Sequence, residues 1–145
     1  GLIDIEPLAP LADDMHGLGT GRRGRLAAEM SVAEFAATIK AFLNVAGLHV
    51  VGDLASKISS PAIACGSAGQ FLSDAAAAGC DALVTGETSF HTCLEAEALG
   101  IALLLPGHFA SERFAVEALS TVLAEKFGEL EIWASEREND PLTWV

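Results

Sequence analysis

The fold this sequence predicts is a three-layer α/β domain, with a mixed, largely parallel sheet flanked by helices. Three observations carry that prediction. The runs at 82–85 and 101–105 are short and apolar almost throughout, as strands buried on both faces are. They alternate with helical segments that glycine stops, at Gly79 and Gly100. Apolar residues fill 51% of the 145 positions and charged residues 19%, a composition that builds a core and argues against disorder.

A chain of this length forms one domain by default and buries about 68–70% of its unfolded surface, so neither a disulfide nor a metal is needed merely to fold. Eight Lys and Arg against twenty Asp and Glu give a formal charge of −12. That field repels phosphate backbones and anionic lipid, which argues against nucleic-acid and membrane-surface partners. No apolar run reaches the ~18 residues of a membrane span, and the first residues lack a secretory pattern. Cys65, Cys80 and Cys93 form no C-x-x-C pair. Three such thiols among small and apolar neighbours are expected to be reduced and mostly buried, in a cytoplasmic protein. The chain opens Gly1-Leu2-Ile3-Asp4 without methionine, as a fragment or a processed chain would.

Residues 1–30 show no sustained period. Pro7, Pro10, Asp13, Asp14 and the Gly/Arg stretch at 17–25 punctuate them, which predicts an irregular arm or linker with at most one short strand. Arg22, Arg23 and Arg25 there suit a solvated loop or, less simply, an anion-contacting one. Residues 31–145 form the domain proper. Ser31 and Glu34 fit a capping box, and Val32, Phe35, Ala36, Ile39, Phe42 and Leu43 give an amphipathic helix ended by Gly47. Strands are expected at 48–51 and 61–65, paired antiparallel because the connection 52–60 is short and polar. A helix at 70–78 precedes the strand at 82–85. Thr88 or Ser89 caps a helix that runs to Leu99, and the strand at 101–105 follows. A long helix at 111–127 is expected to pack through Phe114, Val116, Leu119, Val122 and Leu123, before a closing strand at 130–134.

In open α/β sheets ligands bind beyond the carboxyl ends of the strands, so three strand ends hold the candidate chemistry. Gly66-Ser67-Ala68-Gly69 offers small residues and free N–H groups, but a plain turn reads equally well. Glu87 and His91 lie four apart after the second strand, a spacing that puts two side chains on one helical face. An acidic residue favoured at a helix start beside a surface histidine has the same pattern. His108 stands at the mouth of the third strand with Glu112 four residues on; imidazole and carboxylate together suit zinc, iron or manganese. Two ligands do not complete a site, so spacing alone leaves metal binding open. His49, within a strand, reads as structural, and His16 as an exposed residue of the arm.

The run GCDALVTGETSFHTCLEAEALGIALLLPGHFASERFAVEAL carries the paired elements TGE-x-x-x-H and GH-x-x-SE. Together they resemble the carboxyl-terminal half of the NGG-interacting-factor-three-like family, the dinuclear-metal-centre hexameric proteins labelled GTP cyclohydrolase type-two homologs. The likeness runs from Met30 to Val145 and takes in Val51-Gly52-Asp53 and Cys65-Gly66-Ser67. The Gly17-Leu18-Gly19 element of the arm looks like the family's linker.

The resemblance implies a site for two divalent metal ions of zinc, iron or manganese type, in a cleft between two α/β halves. It gives His108 and Glu112 the role of metal ligands, and Glu87 and His91 a role in the second shell or facing substrate, with Ser67 lining the cleft. It implies a metal-dependent hydrolase of a nucleotide-like small molecule, and a homo-oligomer, hexameric in the intact protein. The family's paired-histidine motif has no counterpart here, since no two histidines are adjacent. This chain alone is therefore expected to hold only half of the ligand set and to show little or no hydrolase activity. The alternative is a non-catalytic assembly module of a ring-shaped oligomer.

Overall fold

The computed structural model describes residues 1–12 and 17–143. The chain runs through β1 (Leu2–Glu6), β2 (Ala9–Pro10), β3 (Gly19–Thr20), β4 (Arg22–Leu26), β5 (Met30–Ser31), α1 (Val32–Leu43), β6 (His49–Val51), β7 (Lys57–Ile58) and β8 (Pro61–Ile63). A turn of 3-10 helix at Gly69–Phe71 leads into α2 (Leu72–Ala77), followed by β9 (Ala82–Val84), α3 (Phe90–Leu99), β10 (Ala102–Leu105) and α4 (His108–Lys126). One mixed sheet takes the order β1-β4-β8-β9-β10-β6. Parallel pairing is confined to its centre, β8, β9 and β10, with antiparallel strands on either side. Among the described residues no helix is long and apolar enough to cross a membrane.

The central strands explain the layers. Leu83 and Leu103 point into one core with Ala62, Leu72, Ala75 and Ala96, beneath α2 and α3. Ala82, Val84, Ala102 and Leu104 point the other way, against Val32, Phe35 and Ala36 of α1. Alternate residues of β9 and β10 are thus buried on opposite faces, which is why these strands read as unbroken apolar runs. The capping box holds as expected: the Ser31 hydroxyl accepts from Glu34 N–H at 3.2 Å while the Glu34 carboxylate accepts from Ser31 N–H at 2.7 Å. That pairing lowers the Glu34 pKa.

Several expectations give way. The first 30 residues are not an irregular arm: β1 and β4 form an antiparallel pair, and β4 joins the main sheet through β8. The arginines explain this, because Arg23 pairs with Glu6 at 2.5 Å and Arg25 with Asp4, tying a charged edge together. Both arginines thereby pair with acids across the two strands. A register break between Ile3 and Glu6, with Asp4 in the left-handed region at φ 53°, interrupts this edge. Strands β6 and β8 run in opposite directions but do not pair, since β10 and β9 lie between them. Residues 52–60 can reach about 30 Å when extended, ample to pass three strand spacings of about 4.8 Å each. Helix α1 ends at Leu43, before Gly47, because Asn44 takes the left-handed cap.

Helix α4 begins one turn earlier than expected, since Ser111 N–H already bonds Gly107 C=O at 3.1 Å. Its apolar residues are not core. Phe114 meets Phe42 edge-on at 5.4 Å, but Leu119 and Val122 are more than half exposed. No strand forms at 130–134; residues 128–143 carry turns and irregular backbone. Cys80 is buried as expected, whereas Cys65 is exposed and Cys93 intermediate, all three free. His49 lies in β6 and is exposed; His16 lies outside the described residues.

Burial makes a measurable distinction. Leu103→Ala, at a fully buried position, is expected to cost about 2–5 kcal/mol in denaturant unfolding. Leu119→Ala is expected to change stability by roughly 0.5 kcal/mol or less. Equal losses would show that α4 is packed where it is drawn exposed.

Candidate functional site

The three parallel strands end level with one another, Ile63 and Leu104 both standing opposite Val84. Their continuations at Gly66, Glu87 and His108 are thereby brought within about 10 Å, two strand spacings. Backbone bonds extend past the strands: Glu87 N–H to Gly66 C=O at 3.1 Å, and Gly107 N–H to Gly86 C=O at 2.9 Å.

Two buried hydroxyls lock these turns. Thr85 donates to Gly66 C=O and accepts from Ala68 N–H, both at 3.1 Å. Ser111 accepts from Gly66 N–H at 2.9 Å and donates to His108 C=O at 2.8 Å. Gly86 sits between them, where an added Cβ would meet Ser111 Oγ at 2.6 Å and Gly66 O at 2.8 Å. Neither hydroxyl stood out in the sequence as a positioning group. The available signal was a threonine prolonging an all-apolar buried strand, where a hydroxyl must find a partner.

On this scaffold His108 stands between two carboxylates. Its Nδ1 lies 2.9 Å from Glu87 Oε1, and its Nε2 lies 3.2 Å from Glu112 Oε2. Glu112 leans over Gly66, whose φ of +71° and missing side chain leave room for the carboxylate; a Cβ there would collide with Glu112 Oε1. The Glu87 hydrogen bond, aided by the charges of Glu112 and Glu87, lifts the His108 pKa above the usual histidine value, against an opposing effect of desolvation. Desolvation, and then the Glu112 charge, pushes the nearby Cys65 thiol up, so it is protonated at neutral pH.

A cleft of about 530 Å³ opens over this group, lined by Glu87, His108, Glu112 and Arg113, with Phe109, Val116 and the segment from Glu138 to Leu142. Glu87, His108 and Glu112 therefore share one site. His91 does not join them: Glu87 precedes α3 rather than lying on it, and the exposed His91 ring stands beside Phe90 at 6.3 Å. Ser67 is exposed and lies outside the cleft lining. Among the described residues no three His, Cys, Asp or Glu side chains converge so as to hold one metal ion.

The family model described as Duf34/NIF3 (NGG1p interacting factor 3) matches residues 1–141. This chain belongs to the Duf34/NIF3 family. Among curated Duf34/NIF3 relatives, a GTP cyclohydrolase 1 type 2 homolog of Bacillus subtilis (strain 168) is 35% identical over 156 aligned positions, covering 99% of this chain and 41% of the relative. Another of that name, from Allochromatium vinosum, is 37% identical over 126 positions, 87% of this chain and 47% of its own length. The crystal structure of a Bacillus cereus protein related to NIF3 superposes with a TM-score of 0.85 at 32% identity, over 93% of this chain and 38% of that one. This Duf34/NIF3 chain thus spans less than half the length of these relatives.

The donors brought together here, imidazole and carboxylate, are of the types that ligate zinc, iron or manganese, but they are fewer than a closed site needs. A carboxylate on Nδ1 fixes the imidazole so that Nε2 is the nitrogen left to bind a cation, the usual outer support of a ligating histidine. Glu112 stands ready at that same nitrogen, above a cradle that only glycine leaves open. With no metal added, Glu87→Gln is expected to lower the His108 pKa towards the ordinary value, because a neutral amide supports the imidazolium less well than a carboxylate. An NMR titration of the imidazole checks this; an unchanged midpoint would remove Glu87 from the site.

Proposed function

We propose that this chain supplies part of a two-cation centre, of zinc, iron or manganese type, in a metal-dependent hydrolase of nucleotide-like substrates. His108 Nε2 and Glu112 would be the ligands and Glu87 the group that orients His108. The observation that carries the reading is the Glu87–His108–Glu112 row, in which one ring nitrogen is held and the other is presented to a carboxylate. The substrate class rests on the names of the relatives, GTP cyclohydrolase 1 type 2 homologs. A pair of divalent ions supplies Lewis-acid stabilisation of negative charge developing on oxygen. The protein's part is to hold the imidazole in one orientation, set Glu112 beside it, and wall the cleft with Phe109, Val116 and Leu142. With two such ligands among the described residues, a complete centre would draw its remaining donors from elsewhere.

Calorimetric titration with Zn²⁺ or Mn²⁺ tests the reading. Weak binding is expected, lost in His108→Ala and weakened about tenfold or more in Glu87→Gln. Affinity should rise with pH until His108 has released its proton, since proton and cation compete for Nε2. Undiminished metal affinity in His108→Ala would overturn the proposal. Incubation with GTP and added metal is expected to give no turnover; robust turnover would refute the half-site reading.

A second reading, assembly into a ring-shaped homo-oligomer such as a hexamer, rests on α4. At 100° per residue Val116, Leu119, Val122 and Leu123 fall within an arc of about 120°, an apolar stripe on a helix that the rest of the chain leaves largely uncovered. Phe42 and Trp133 add exposed aromatic surface, 71% and 72% exposed. Size-exclusion chromatography with light scattering is expected to show a multiple of 15.0 kDa. A clean monomer would count against assembly through this chain alone.

A further inference from the structure

Arg113 is the only lysine or arginine among the described residues lining the cleft, beside the carboxylates of Glu87, Glu112, Glu138 and Asp140. It follows Glu112 directly on α4. Its side chain is 18% exposed, and its guanidinium is only partly paired. Nη2 donates to Ser135 C=O at 2.5 Å and stands 3.5 Å from Glu117 Oε1. Nη1 is buried and has no hydrogen-bond partner among the described residues.

That arrangement is costly. A guanidinium is charged at every physiological pH and carries five N–H donors, and a buried donor left unpaired loses its hydration without compensation. Glu117, the nearest acid, lies at ion-pair rather than hydrogen-bond distance and on the partly satisfied nitrogen. The fork geometry of arginine matches two oxygens of one planar or tetrahedral anion. We propose that Arg113 is a recognition residue for an oxyanion group of the substrate, phosphate or carboxylate, held next to the His108–Glu112 pair. Glu138, Asp140, Pro141 and Leu142, which line the same cleft, lie in a segment without helix or strand. The Ser135 contact anchors Arg113 from behind while Nη1 remains the donor in need of a partner.

This inference rests on the reading of the cleft as a substrate site, but its test does not require a metal. The full chain, without added metal, is titrated with inorganic phosphate and separately with acetate, following the arginine side-chain signals by NMR. A saturable shift of the Arg113 resonances is expected with at least one of the two, and the tighter ion names the anion class. Arg113→Met should abolish the saturable response, and Arg113→Lys should weaken it by about tenfold, since an ammonium cannot bind bidentately. Melting temperatures of both variants show whether they fold, and the lysine variant keeps the test valid if the methionine variant does not. Metal binding by calorimetry and anion binding by NMR are read independently on the unaltered chain, so the two proposals fail separately. No saturable shift with either ion, or unchanged anion affinity in a folded Arg113→Met or Arg113→Lys protein, would overturn the assignment.

Discussion

Everything at the rim of the sheet depends on two hydroxyl groups that water does not reach. Thr85 and Ser111 grip the same turn from two sides, one through the Gly66 carbonyl and the other through its N–H. Because Ser111 also bonds the His108 carbonyl, the start of α4 is fixed relative to the end of β8. Buried polar groups of this kind are high-stakes: fully paired they specify one arrangement, and each lost partner leaves another unsatisfied. The close backbone approach at Gly66 and Gly86 belongs to the same constraint, since side chains there would force the three strand ends apart. The exposed charges are placed by a dry, hydrogen-bonded frame beneath them.

The frame also explains why exposed groups can hold a defined geometry. Side chains of His108, Glu87 and Glu112 are each about half exposed, at 46%, 53% and 53%. Surface ion pairs of long side chains ordinarily add little to stability. Here the row is built from one ring and two acids, with Glu87 and His108 rising from neighbouring strand ends and Glu112 one helical turn further on. Its effect is geometric: each imidazole nitrogen faces a carboxylate, Nδ1 towards Glu87 and Nε2 towards Glu112.

Much of this was legible in the sequence, for identifiable reasons. Strands β9 and β10 announce themselves because burial on both faces demands apolar side chains at every position, and Ser31–Glu34 announces α1 because the cap is a local exchange of hydrogen bonds. The His108–Glu112 neighbourhood follows from helical spacing. What escaped is non-local. The Glu87–His108 bond joins residues 21 apart, and spacing instead suggested Glu87 with His91, which the start of α3 at Phe90 separates. The pairing of β6 with β10 escaped because proximity in sequence favoured β8. Strands β1 and β4 were hidden by their charges, which become informative only once Arg23 and Glu6 are seen facing each other. On α4 the apolar spacing predicts packed contacts that Leu119 and Val122 do not make, since a periodic pattern does not say what covers it.

The margin formed by β1 has its own consequence. A straight, open strand at the end of a sheet is a template on which another chain can lay its backbone. Here the left-handed turn at Asp4 and the slipped register beside it put the amide groups out of step, while Asp4, Glu6 and their arginines crowd the rim with charge. Sheet-to-sheet growth is blunted on that side of the molecule, whatever its other edge allows.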